Sequence, residues 1–290
     1  MLHYFDISKW KLSILSGILI GLAYPPSPLG FLAWFGLIPL IHIILNSSIF
    51  NSLKYSYVTG LIVNIITVYW FGLNSGAGFT TAIISMIAAI LYLSIFWLIL
   101  GLVCSWYHQK TGYGLFVFSL LWVSIEYLRS FGPLSFPWIN LGLTQTFSLP
   151  LIQIADVTGT MGISFWIVML NIIIYLAINS KRIEKKILSI GVLLLLVIFL
   201  LGFFRISIIQ NKDILNNIST AIVQPNIDPN LKWEENFRDR IFNTMDSLHI
   251  KAIEHNPDFI LWPEAALPTY LRLNYSTKRS ILKKVKESNI

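Results

Sequence analysis

Only one cysteine, Cys104, occurs in the 290 residues, which excludes an internal disulfide and any Cys-X-X-Cys metal or redox pair. It lies inside the apolar run from Ile95 to Trp106, the setting of a small packed side chain rather than of a reactive thiolate. Histidine is equally sparse: His3, His42, His108, His249 and His255 are scattered, and the last two do not share a helical face, so no metal centre is expected. A glycine-rich phosphate loop, a Gly-X-Ser-X-Gly elbow and a His-Glu-X-X-His pair are all missing. No cofactor is expected.

Charge is scarce and unevenly placed. Of the 21 basic and 14 acidic residues, 14 lie in residues 1–205 and 21 in the remaining 85. The first part carries repeated apolar runs near 20 residues and belongs in a bilayer, whereas the last part reads as soluble. The net charge of +7 does not point to nucleic acid, because the basic residues form short clusters beside hydrophobic segments, where topology signals and anionic headgroups account for them.

Seven spans are predicted, at about 11–24, 29–46, 57–74, 80–106, 113–130, 159–179 and 187–205. The first is short and follows Lys9 and Lys11, but Gly21-Leu-Ala-Tyr-Pro-Pro26 is a poor cleavage site, so it reads as a retained span or as half of a hairpin with the second. A cytoplasmic N-terminus places Lys9, Lys11, Lys54, His108, Lys110, Lys181, Arg182, Lys185 and Lys186 on one side, as the positive-inside rule requires. Everything after Arg205 then emerges on the opposite face.

The segment Phe131–Thr158 is long, apolar and rich in aromatics and turn formers. It reads either as a platform at the membrane interface or as a packed re-entrant connection. Glu126 and Arg129, three apart near the end of the fifth span, share a helical face and suit mutual neutralisation or contact with a headgroup. Asn64, Asn171, Gln153 and Asp156 are further polar groups of the kind that joins helices by hydrogen bonds.

Beyond the bundle, Thr220–Gln224 reads as a strand stopped by Pro225 and the turn Asn226-Ile-Asp-Pro-Asn230. Trp233, Phe237, Ile241, Met245, Leu248 and Ala252 repeat at helical spacing and predict an amphipathic helix. Asp258–Trp262 is a second strand, and the length of the crossover implies parallel pairing. A further amphipathic helix follows over 276–287 through Ile281, Leu282 and Val285, with Lys283, Lys284 and Lys286 on its solvated face. Two strands make a marginal sheet, so this part is expected to need something to cover its edge.

Glu264 follows the second strand, between Pro263 and Pro268. Open α/β sheets bind ligands at the carboxyl ends of their strands, which makes Glu264 the candidate general acid or base; Trp262 and the prolines are expected to limit its solvation. A solvated turn carboxylate is the other reading.

Together, the seven-span bundle, Phe136-Pro-Trp138, Gln224-Pro-Asn-Ile227, Leu231-Lys-Trp-Glu234 and Leu261-Trp-Pro-Glu-Ala-Ala-Leu-Pro268 resemble the apolipoprotein N-acyltransferase family, from about residue 11 onward. The resemblance implies a polytopic α-helical membrane bundle over residues 1–206, followed over 207–290 by the start of an α/β nitrilase-like (carbon–nitrogen hydrolase) domain. It implies a multi-pass protein of the bacterial inner membrane with that domain in the periplasm. Its partners would be a phospholipid acyl donor and a diacylated apolipoprotein acceptor, with acyl transfer passing through an enzyme thioester.

The family's Glu-Lys-Cys triad gives Glu264 the role of general base, and its aromatic residue at the substrate entrance corresponds to Trp233, which otherwise reads as an anchor of the helix on the sheet. The family's lysine and cysteine, and an eighth span, follow the Trp-Pro-Glu motif at positions that would lie beyond Ile290. The chain is therefore expected to be an N-terminal part, truncated and inactive by itself. A non-catalytic membrane protein that binds lipid or lipoprotein is the alternative, with binding indifferent to Glu264→Ala. A transporter is disfavoured, because the spans show no paired repeat and few midplane charges.

Overall fold

The computed structural model describes residues 8–74, 78–179, 184–210, 218–228, 231–264 and 266–288. His3, Lys181, Arg182, Pro229, Asn230, Ala265 and Ile290, read above, lie outside them. The chain divides into two compact units, residues 1–211 and 212–290.

The first unit is helical. It comprises α1 (Lys9–Ala23), α2 (Ile38–Leu45), α3 (Ile49–Val68), α4 (Phe79–Thr111), α5 (Gly114–Leu128), the single turn α6 (Leu149–Ile152), α7 (Ala155–Asn179) and α8 (Glu184–Gln210). Among the described residues four helical segments are long and apolar enough to cross a membrane: Ile49–Leu73, Phe79–Thr111, Ala155–Asn179 and Ser189–Gln210. Gly30–Leu45 and Gly114–Leu128 are apolar but shorter.

The stretch read as a span over 29–46 is not one helix. A 3-10 segment, Gly30–Trp34, is followed by the eight residues of α2, about 12 Å of helix against a hydrocarbon core of about 30 Å. Pro39 in the first turn of α2 explains the break, since it has no N–H to donate backward. A second interruption falls in α7, where Gly159 takes φ 67° and ψ −179°, a conformation that side-chain-bearing residues resist. The sixth span, predicted from 159, begins at that kink.

Helix α3 packs on α1 and on α4. Its approach to α4 is close enough that a Cβ on Gly60 would lie 2.6 Å from the Trp97 ring, so the absence of a side chain there lets the indole into the interface. Trp97 then meets Trp122 of α5 edge to face, centroids 5.1 Å apart.

The polar side chains read as helix joiners divide by partner. Asn64 donates to Ser94 Oγ at 3.0 Å and ties α3 to α4. Asn171 of α7 accepts from Leu37 N at 2.9 Å and donates to Ala33 O at 2.7 Å, holding the broken segment between α1 and α3. Asp156 pairs with Arg205 and links α7 to α8. Gln153, by contrast, bonds Leu149 O, one turn back on its own helix, and no other group among the described residues.

The second unit begins with β1 (Thr220–Ile222), crosses through α9 (Glu235–Ile253) and returns as β2 (Phe259–Leu261), parallel to β1 with Thr220 opposite Phe259 and Ile222 opposite Leu261. A last helix, α10, covers Tyr275–Ser288. Among the described residues the sheet has these two strands. One face packs Ala221 and Ile260 toward a small core of Val223, Met245, Ala252 and Leu267, while Ile222, Phe259 and Leu261 on the other face are exposed. The buried stripe of α9 is Ile241, Met245, His249 and Ala252, so His249 joins the inner face beside Leu248, which packs on the same core. Lys284 is not simply solvated: it reaches across from α10 to pair with Asp246 of α9.

Asn171→Leu leaves the buried Leu37 N–H and Ala33 C=O without their partner and is expected to destabilise the first unit by about 1–3 kcal/mol. Gln153→Leu, which frees only an exposed carbonyl, is expected to change stability by less than about 0.5 kcal/mol. Denaturant unfolding in detergent followed by tryptophan fluorescence distinguishes the two, and equal losses would contradict the assignment.

Candidate active site

Both strands of the second unit end at one edge, and an open cleft of about 350 Å³ forms there. From β1 and its turn it takes Gln224, Pro225 and Asn226; from β2 it takes Trp262, Pro263 and Glu264; Lys232 closes it from the segment before α9. Asn226 holds φ 51°, a left-handed conformation that asparagine tolerates and that turns the chain away after Pro225. Glu264 is exposed within a turn. The expected shielding by Trp262 is not what the structure has: the indole turns to His249, centroids 5.5 Å apart and 84° between planes, and packs on the core.

Trp233 lies just before α9 and is 59 % exposed, so it does not anchor that helix on the sheet. Its ring lies 6.3 Å from that of Tyr270, another exposed aromatic, which brings the Leu231-Lys-Trp233 stretch beside the segment after Pro268. Lys232, within Leu231-Lys-Trp-Glu234, is a cleft residue that no sequence pattern singles out. A lysine before an amphipathic helix reads as solvated, and only the return of the chain past both strand ends puts it on the same cleft as Glu264. Among the described residues no group of three or more histidine, cysteine, aspartate or glutamate side chains could hold a metal ion.

In the first unit, Glu126 and Arg129 are both buried, at 3 % and 6 % exposure. They bond backbone and neighbouring side chains, and no direct ion pair joins them among the described residues. Glu126 Oε1 accepts from Leu141 N at 2.7 Å and from Trp122 Nε1 at 3.0 Å. Arg129 Nη2 donates to Ile139 O at 3.1 Å and to Asn140 Oδ1 at 3.0 Å, and Tyr24 of the α1 end donates its hydroxyl to the same Ile139 O at 2.8 Å.

The segment 131–158 is therefore a packed connection on its inner side. Phe136, Ile139, Leu141 and Leu151 are buried, Gln145 donates to Gly30 O and accepts from Trp34 Nε1, and Ser164 accepts from Gly142 N. Its outer side leaves Phe131, Leu134, Trp138, Phe147 and Leu149 exposed. Trp138 joins Phe136, Phe71 and Trp70 in a chain of edge-to-face rings. Tyr24, Asn140 and Gln145 had no place in the sequence reading, and isolated polar groups within apolar stretches were the available signal.

An apolar helical bundle with segments of membrane-spanning length, followed by a separate β-α-β unit with a carboxylate at its strand ends, defines a helical membrane protein carrying an α/β unit. Residues 16–173 match the family described as apolipoprotein N-acyltransferase N-terminal domain. That match takes in more than half of the chain, and the chain belongs to the apolipoprotein N-acyltransferase family. It is 30% identical over 276 residues to apolipoprotein N-acyltransferase of Geobacter metallireducens, covering 91% of this chain and 52% of the relative. It is 26% identical to the protein of that name from Chlorobaculum tepidum (90% and 50% covered) and 30% identical to that from Rickettsia prowazekii (88% and 51%). The chain thus spans about half the length of these curated relatives.

A titratable group behind the sheet generates a pH prediction. His249 is buried against Trp262, and neither ring nitrogen has a hydrogen-bond partner among the described residues. Burial lowers its pKa below the usual imidazole value and the Lys284 ammonium lowers it further, while Asp246 acts in the opposite sense. The fold therefore favours neutral His249. This contribution is fully present above the unfolded value of about 6.5 and is lost as pH falls through the lower folded value. Hydrogen-exchange protection of α9 is expected to weaken between pH 7 and 5 in the intact chain, and His249→Leu is expected to flatten that dependence. An unchanged pH profile in the variant would contradict it.

Proposed function

We propose that the protein takes part in moving a fatty acyl chain from a membrane phospholipid to the N-terminal amine of a diacylglyceryl-cysteine apolipoprotein, the last step of bacterial lipoprotein maturation. The observation that carries this reading is the placement of Glu264 on the cleft at the strand ends of a chain that belongs to the apolipoprotein N-acyltransferase family. A nitrilase-like α/β domain built outward from the β-α-β unit suits that placement, as does a position in the inner membrane with the N-terminus in the cytoplasm and the second unit in the periplasm.

In this reaction a general base takes the proton of a thiol, and the thiolate attacks the phospholipid ester carbonyl. The ester C–O bond breaks, the lysophospholipid leaves with the proton, and the acyl group remains as a thioester. The lipoprotein amine then attacks the thioester, its proton passes to the base, and the thiol departs as the amide forms. Glu264 supplies the base. Trp233, beside Tyr270, offers an exposed aromatic surface against which an acyl chain can rest.

Lys232 lines the same cleft as Glu264, whereas Cys104 is a fully buried packing residue of α4 and does not suit the role of thiol. On this reading residues 1–290 supply the base, and no transfer is expected from them alone. Binding of lipid or lipoprotein without chemistry is the competing reading.

Joining residues 1–290 to the segment of the Geobacter metallireducens relative that follows the matched region supplies a test. The chimera is expected to convert a diacylated lipopeptide and phospholipid to triacylated product, with Glu264→Gln lowering the rate by roughly 10²–10⁴-fold at unchanged lipopeptide binding. Residues 1–290 alone are expected to give none. Product at an undiminished rate from the Glu264→Gln chimera would remove the glutamate from the mechanism.

A further inference from the structure

Glu126 and Arg129 have capacity that the loop does not use. Glu126 Oε2 and Arg129 Nε are both buried and make no hydrogen bond of normal length among the described residues, although the Ser164 hydroxyl also approaches the Glu126 carboxylate. The two residues line one cavity, walled otherwise by Tyr24, Phe96, Trp97 and Trp122 among others, with about 30 Å³ open to the centres of water molecules. One water requires at least about 10–15 Å³ by that measure, so the space suits one or two.

The chemistry selects the occupant. Nε–H is a donor and Oε2 an acceptor, and leaving a buried ionisable group short of a partner is costly in surroundings of low dielectric. An acyl chain could satisfy neither atom. A water molecule satisfies both, accepting from Arg129 Nε–H and donating to Glu126 Oε2, with an oxygen lone pair and a second hydrogen left for Tyr24 or a second water.

We propose that this cavity is a binding site for one or two water molecules that couple Glu126 to Arg129, two side chains that make no direct ion pair. The site is independent of the acyl-transfer reading. It would complete the bonding of the two residues that hold the backbone of Ile139 and Leu141.

X-ray radiolytic labelling of the intact chain in lipid nanodiscs tests this, because hydroxyl radicals formed from a bound water oxidise the rings beside it even when bulk solvent is excluded. Trp97, Trp122 and Trp166 are matched in type and burial, at 7 %, 7 % and 8 % exposure, but only the first two line the cavity. Trp97 and Trp122 are expected to be labelled several-fold faster than Trp166, and equal rates would overturn the proposal. A density map near 2 Å resolution gives a second readout. Compact peaks at hydrogen-bonding distance from both Oε2 and Nε support the site, whereas tubular acyl density or direct Glu126–Arg129 contact across a closed cavity refutes it.

Discussion

Backbone that leaves the helical state inside an apolar bundle must have its N–H and C=O groups bonded by something other than water, and the first unit depends on meeting that demand. Two segments impose it: the break between α1 and α3, and the connection from α5 to α7. Five side chains answer it in pairs of elements. Asn171 bonds the backbone of Ala33 and Leu37, and Gln145 bonds that of Gly30. Glu126, Arg129 and Tyr24 bond that of Ile139 and Leu141.

The depth of the second segment makes its bonding consequential. The Glu126 cavity is shared with Trp97 and Leu100 of α4. At a rise of about 1.5 Å per residue, Trp97 lies about 27 Å from the Phe79 end of that helix and about 21 Å from the Thr111 end. The backbone of Ile139–Leu141 is therefore held well inside the bundle, while Trp138, Phe131 and Leu134 of the same segment remain exposed. The segment is thus fixed on its inner side by bonded backbone and leaves an apolar surface on its outer side.

Legibility in the sequence followed the strength of the periodic signal. The apolar runs around 57–74, 80–106, 159–179 and 187–205 are helices because long uncharged stretches have few other solutions, and the β-α-β unit is parallel because a 36-residue crossover cannot close a hairpin. Composition hid the break at Pro39, since Gly30–Leu45 is as apolar as a span, and only the missing proline N–H marks it. Within the candidate site, Glu264 was legible as a strand-end carboxylate, but Lys232 was not, because the contact between loop and strand end has no periodicity. Trp233 leaves the apolar stripe because the helix starts two residues after it, and His249 joins that stripe one turn after Met245, where a polar residue type gave no apolar signal. Glu126 and Arg129 were legible as ionisable residues near the end of the fifth span, yet the backbone groups they hold lie 10 to 15 residues further on, in atoms that no side-chain pattern records.

The central claim is that Glu126 holds the first amide of the 3-10 turn Leu141–Gln145 in the interior of the bundle, and amide hydrogen exchange at Leu141 measures this directly. In the intact chain in nanodiscs, Leu141 N–H should exchange as slowly as amides in the middle of α4 and should lose that protection selectively in Glu126→Leu. Exchange at Leu141 as fast as in exposed turns of the wild-type protein would contradict the account.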